Sequence, residues 1–297
     1  MWDDEVDVVC CGSGFGAMAV AVAAAAAGLD VHIAGSAPTG GTQPHPASWL
    51  GAGISDPETR DYFDALSADL LPGAEIECDA ELAARVVSDG PPRSRRGRIA
   101  PFFGARLGQW AQTCLSSPYG VLYTRLADRG TTSMTTRTGE EIAVALLGAL
   151  ETDGPATSAT LGQWLSTQVA EHQIPVSDSG TLQRLVFEEG QVIGAVIDTA
   201  DGPLALRARH GVAVSTEPRG SAPVSTDGQL ISDQPVQVGL VGYNASRFGR
   251  VELLQVEADG AQPEYCSSGG RPDSRRESGR SPTRRGREMH RHPPFGQ

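Results

Sequence analysis

The apolar positions at the head of the chain change period twice within thirty residues. Val6, Val8, Val9, Cys10 and Cys11 make a short apolar run that predicts a strand. The Ala-rich run from Met18 to Ala27 predicts a helix with almost nothing larger than Val on its surface, and Asp30–Ala34 predicts a second strand. Further on, Tyr62, Phe63, Leu66 and Leu70 recur at helical spacing behind Pro57, so 57–71 reads as a helix. Asp79–Val87 and Glu140–Leu150 also read as helical, the latter with its acids at the N-terminal end, and Leu161–His172 as another helix. A short strand at Ile174–Val176 precedes a strand-turn-strand, Thr181–Phe187 and Gln191–Ile197, whose turn Glu188–Gly190 places Gly190 at positive φ. Strands then follow at Leu204–Arg209, Gly211–Val214, Val236–Val241 and Val251–Val256.

Between the first strand and helix stands Gly12-Ser13-Gly14-Phe15-Gly16-Ala17. That order suits a nucleotide diphosphate. Gly12 lets the chain turn off the strand, Gly14 has no Cβ to hold phosphates away, and Ala17 lets the helix pack close. The helix N-terminus adds free amides and a partial positive charge. A carboxylate normally ends the second strand and accepts from the ribose hydroxyls. Here Ile33-Ala34-Gly35-Ser36 holds no acid, and Ser36 offers only a hydroxyl. Losing such a clamp costs about 1.5–3 kcal/mol, or roughly one to two decades of affinity. A Glu at position 35 is expected to restore it, provided the backbone there does not need positive φ.

The net charge of −12 argues against general nucleic-acid binding, which needs a basic surface. Every one of the 24 basic residues is Arg, a bias that fits a GC-rich gene. The charge is divided unevenly: 267–297 carry eight Arg against three acids, while the rest of the chain sums to −17. From Gln262 to Gln297 no periodicity survives, and the tail is expected to be disordered, either a basic interaction arm or the product of a reading-frame change. Four Arg in Arg93–Arg98 read as a solvated loop before an anion site. The aromatic stretch 101–124 serves equally as a cap over a ligand or as core. Five scattered cysteines have neither zinc-site spacing nor a disulfide framework, and adjacent Cys10 and Cys11 read as small buried residues. An acidic start and an Ala run too short to span a bilayer leave a cytoplasmic protein without a transmembrane segment as the expectation.

Three blocks resemble the flavoprotein subunits of the succinate dehydrogenase/fumarate reductase superfamily, and within it the 3-ketosteroid dehydrogenase-like proteins of actinobacteria. They are Asp7–Gly28, then Ala37-Pro38-Thr39-Gly40-Gly41-Thr42, then the Val-rich hairpin Leu185–Val214. The resemblance implies FAD as cofactor, held by Gly12, Ser13, Gly14, Phe15, Gly16, Ala17, Ser36, Gly40, Gly41 and Thr42, and a small-molecule substrate. It implies an α/β fold: a Rossmann-like FAD-binding βαβ sheet (1–50 and 137–257) with an inserted helical cap region (51–136), a β-hairpin subdomain and a disordered tail (258–297). The chain departs from the family where Ala-Thr-Gly-Gly becomes Ser215-Thr216-Glu217-Pro218, in its shortened C-terminal part, and at the missing acid. No residue takes the place of the family's catalytic groups; Tyr119, Tyr123, Tyr243 and Arg247 are candidates by type alone. An FAD-dependent oxidoreductase is the leading expectation. A degenerate, non-enzymatic protein on the same scaffold is the alternative, ahead of a nicotinamide-dependent reductase.

Overall fold

A computed structural model of the chain describes residues 1–12, 14–35, 54–67, 81–89, 103–125, 130–151, 156–215 and 235–257. The chain opens with β1 (Asp4–Cys11), α1 (Phe15–Ala26) and β2 (Val31–Ala34). It continues through α2 (Pro57–Ser67), β3 (Ala84–Asp89), α3 (Phe103–Leu115), β4 (Gly120–Tyr123), β5 (Thr132–Thr136) and β6 (Glu141–Leu150). After α4 (Ser158–Glu171) come β7 (Val176–Ser177), β8 (Thr181–Glu188), β9 (Gln191–Thr199), β10 (Gly202–Ser215), β11 (Val236–Gly242) and β12 (Phe248–Glu257). The Arg93–Arg98 cluster and the tail beyond Glu257 lie outside the described residues.

This is a mixed α/β fold rich in strands. Its parallel part runs β7-β2-β1-β10, with β1 at the centre. Asp7 fastens the near end: its carboxylate accepts the Asp30 N–H at 2.9 Å and an Arg209 N–H at 2.9 Å. Strand β10 is a single strand where the sequence suggests two. The break between Arg209 and Gly211 is a bulge: Val6 faces Ala208, but Val8 faces Gly211, which sits at φ +120°. The first half of β10 pairs with β9, itself paired with β8, and the second half pairs with β4. The β8–β9 turn has Glu189 at φ +50° and Gly190 at φ +75°, the positive pair that a type I′ turn requires.

The remaining strands close on themselves. β11 pairs β6, β6 pairs β5, β5 pairs β3, β3 pairs β12, and β12 returns to β11. Two of these strands correct the helices read from the sequence. Residues 84–89 form β3, because Val86 and Val87 are stiff β-branched residues paired on both edges, and 141–150 form β6. In β6, Ile142 and Val144 are buried at strand period, and a bulge opposite Val238/Gly239 breaks the alternation. The helical spacing of its Ala and Leu residues yields to pairing partners on either side, a tertiary override of local propensity.

Helix α1 touches β1, β2 and β10, and also β4, β6, β11, β12 and α4. Ala17, Ala19, Ala21 and Val22 are wholly buried, which explains a helix that is apolar all round. Helix α4 begins on a reciprocal Thr157–Thr160 capping box. A second core lies under α3, where Glu252, wholly buried, receives Arg85 (2.5 and 3.1 Å) and Arg250 (2.9 and 3.0 Å). Both guanidinium groups lie over the Trp110 ring, and the Trp110 indole N–H donates to the Phe248 carbonyl at 2.9 Å.

Removing Glu252 takes away the buried carboxylate that Arg85 and Arg250 share, leaving Arg85 only its longer 3.4 Å contact to Glu140, so Glu252→Ala should lower stability by about 3–5 kcal/mol in chemical denaturation. A loss below about 1 kcal/mol would show the network to be dispensable. Asp7 gives a pH test. The Asp30 amide and Arg209 hold its carboxyl below the usual range. Its contribution is therefore present above the unfolded pKa and lost as pH falls through the lowered folded one. The stability gap between wild type and Asp7→Asn should be largest near neutrality and shrink in acid.

Candidate functional site

The turn that joins β1 to α1 is fixed by backbone before any side chain acts. Gly12 sits at φ +104° and donates its N–H to the Ala34 carbonyl at 2.9 Å. A Cβ there would lie 2.5 Å from Ser215 Oγ. Gly14 is the N-cap of α1, at φ −83° and ψ 160°, a region open to any residue. Its N–H donates to Ser215 Oγ at 3.0 Å, and the same hydroxyl donates to the Cys11 carbonyl at 3.4 Å. Phe15, Gly16 and Ala17 then form the first turn of the helix, the part whose amides lie ahead of the intrahelical ladder. The first turn carries no acid. Such an end favours an anion through its aligned amides and the helix dipole.

The predicted site residues divide by role. Phe15 turns its ring inward, 4.9 Å from the Tyr119 ring, and offers the site only its amide. Gly16 is a packing residue: an added Cβ would lie 2.3 Å from the Gly120 carbonyl oxygen, so the backbones of α1 and β4 meet there. Ala17 is wholly buried beside it. Ser13, Ser36, Gly40, Gly41 and Thr42 lie outside the described residues, as do Thr216, Glu217 and Pro218. The sequence reading missed Ser215. Its signal was the hydroxyl standing where the family resemblance has Ala.

The end of β2 corrects one expectation. Gly35 sits at φ +147° and donates its N–H to the Ser177 carbonyl. Few residues but glycine adopt that backbone, so a Glu there cannot restore the ribose clamp without strain. The nearby His32 bonds Ser177 Oγ at 2.8 Å, and burial holds its pKa down, which keeps the ring neutral.

Residues singled out by type have structural partners. Tyr243 bonds Glu140, and burial raises its phenol pKa; Arg247 donates to Tyr62 Oη at 2.9 Å and to the Thr124 carbonyl at 2.6 Å. Cys10, Cys11 and Cys114 are buried, and desolvation pushes the Cys11 thiol up to about 12, so it stays protonated. A cavity of about 600 Å³ lies along the other half of α1, lined by Val20, Ala23, Ala24 and Ala27 with Gly211 and Tyr243; it does not reach Gly12–Ala17. Among the described residues no cluster could hold a metal ion, and no helix is long and apolar enough to cross a membrane.

Two glycines carry a direct test. Gly12→Ala forces a Cβ onto Ser215 at a strained φ, and Gly35→Glu places a side chain at an equally rare one. Each should cost about 1–3 kcal/mol in thermal or chemical denaturation. Wild-type stability in either variant would show that the backbone there relaxes freely.

Curated protein sequences give no match. Among solved structures, a 3-ketosteroid-Δ4-(5α)-dehydrogenase from Rhodococcus jostii is 21% identical, with a TM-score of 0.29, over 71% of this chain and 46% of that one. A flavocytochrome c3 fumarate reductase is 16% identical, with a TM-score of 0.30, over 70% and 33%. A myxobacterial FAD-dependent chondrochloren halogenase is 11% identical, with a TM-score of 0.30, over 85% and 53%. The chain spans about half the length of these proteins or less. A family model described as an FAD binding domain matches residues 7–237, from β1 into β11. With that match, which takes in more than half of the sequence, the chain belongs to the FAD-binding domain family.

Proposed function

We propose that this chain is an FAD-dependent oxidoreductase-like protein that acts on a small molecule by hydride transfer through the flavin. The observation that carries the reading is the fit of the β1–α1 turn to a diphosphate: strand, positive-φ glycine, a glycine N-cap and an acid-free helix start, within the matched family region. FAD, when bound, supplies an isoalloxazine ring that accepts or gives hydride. The protein's part is to bind and orient. The amides of Phe15, Gly16 and Ala17 receive the diphosphate, and Gly14 keeps the approach clear of side-chain atoms. Gly12 sets the direction in which the chain leaves β1. Ser13, Ser36, Gly40, Gly41 and Thr42, which lie outside the described residues, are assigned to the cofactor by the family resemblance alone. Without a carboxylate at the end of β2, the ribose is held by weaker groups, and affinity falls by roughly one to two decades against a clamped site.

The test is spectroscopic. Purified protein mixed with FAD should retain it through desalting and show bound-flavin absorption. Gly14→Val should weaken binding by at least about tenfold, with circular dichroism unchanged, because the Gly14 backbone is one that Val adopts. Flavin retained by folded Gly14→Val protein would refute the placement. A wild-type protein that takes up no FAD would establish the degenerate scaffold in place of the enzyme.

A further inference from the structure

The β1–α1 turn is a short stretch with two glycines, and glycine loses more freedom on ordering than any other residue. Fixing it costs about 1–2 kcal/mol of backbone entropy per residue. One hydroxyl spans that stretch. Ser215 Oγ, at the end of β10, accepts the Gly14 N–H at 3.0 Å and faces the Cys11 carbonyl at 3.4 Å, so it grips the turn where it leaves β1 and where it enters α1. Ser215 is 3% exposed, and the register of β10 against β1 (Cys11 opposite Val214) delivers it to this point. It takes the amide of Gly14, the N-cap of α1.

We propose that Ser215 is a positioning residue for FAD: its hydroxyl holds the glycine turn in the cofactor-receiving conformation before the cofactor arrives. The proposal rests on FAD binding at this turn, as set out above. A turn fixed in advance leaves less to be ordered on binding, so the hydroxyl acts through pre-organisation and touches no reacting atom. Its effect falls on the association rate, because the bound state is held by the diphosphate itself.

The experiment compares wild type, Ser215→Ala and Ser215→Thr as full chains, using FAD titration, stopped-flow association and amide hydrogen exchange at Gly14. Ser215→Ala should bind FAD about tenfold more weakly, the value of one buried hydrogen bond. The loss should lie mainly in a slower association rate, and the Gly14 amide should exchange faster in the cofactor-free protein. Ser215→Thr, which keeps the hydroxyl, should restore both. A substitution that only loosened the fold would lower the melting temperature without a selective change in association rate. If wild type binds FAD and Ser215→Ala binds equally well, the proposal is overturned. Tighter binding by Ser215→Ala also overturns it, since the hydroxyl would then compete with the diphosphate for the Gly14 amide. If wild type takes up no FAD, the proposed function falls, and this proposal with it.

Discussion

Everything in the described fold is arranged around a helix with strands on more than one side. Helix α1 meets the parallel strands β1, β2 and β10 and also the antiparallel strands β4, β6, β11 and β12. A helix in that position has little solvent face to give to charged residues, and only toward its C-terminal end, and little radius to spare. Its sequence follows: Ala, Val, one Met, and Gly16 where the β4 backbone comes closest. Its N-terminal turn is thus held by core, with Phe15, Gly16 and Ala17 all buried. Placing charge-binding amides on a rigid element gives them a fixed aim.

The two cores solve opposite problems. Around α1 the packing is by small apolar groups, which need no hydrogen-bond partners. Under α3 the packing admits charge, and Glu252 is satisfied by two guanidinium groups that also cover Trp110. A carboxylate so buried is tolerated only because donors surround it. The arrangement ties β12, through Glu252, to β3, through Arg85, and so fastens one seam of the strand ring by side chains as well as by main chain.

Much of this was legible in the amino-acid order where the signal was local. The β1-α1-β2 unit, the helix at 158–171 and the β8–β9 hairpin each have their own periodicity and turn residues, and Gly190 takes the positive φ read from the sequence. β3 and β6 were hidden because Ala and Leu favour helix locally, while the partners that make them strands lie far along the chain. Within the turn, Gly12 and Gly14 could be read from spacing. Ser215 could not, since its bond to Gly14 spans 201 positions. Gly35 shows a different limit. The absence of an acid was visible, but the φ that discourages any side chain there is a property of the backbone alone.

The closed ring has a consequence for how the molecule comes into being. Three of its strands, β3, β5 and β6, lie within residues 84–150, but β11 and β12 begin only at Val236. No hydrogen-bonded ring can exist until the ribosome has released the chain as far as Glu257. Through most of synthesis α1 therefore lacks part of its cover, and β3 and β6 expose open edges. Contacts of such long sequence separation form slowly, and unpaired edges are prone to aggregate meanwhile. Early in its life this chain carries open strand edges, and a truncation ahead of β11 keeps the ring from ever closing.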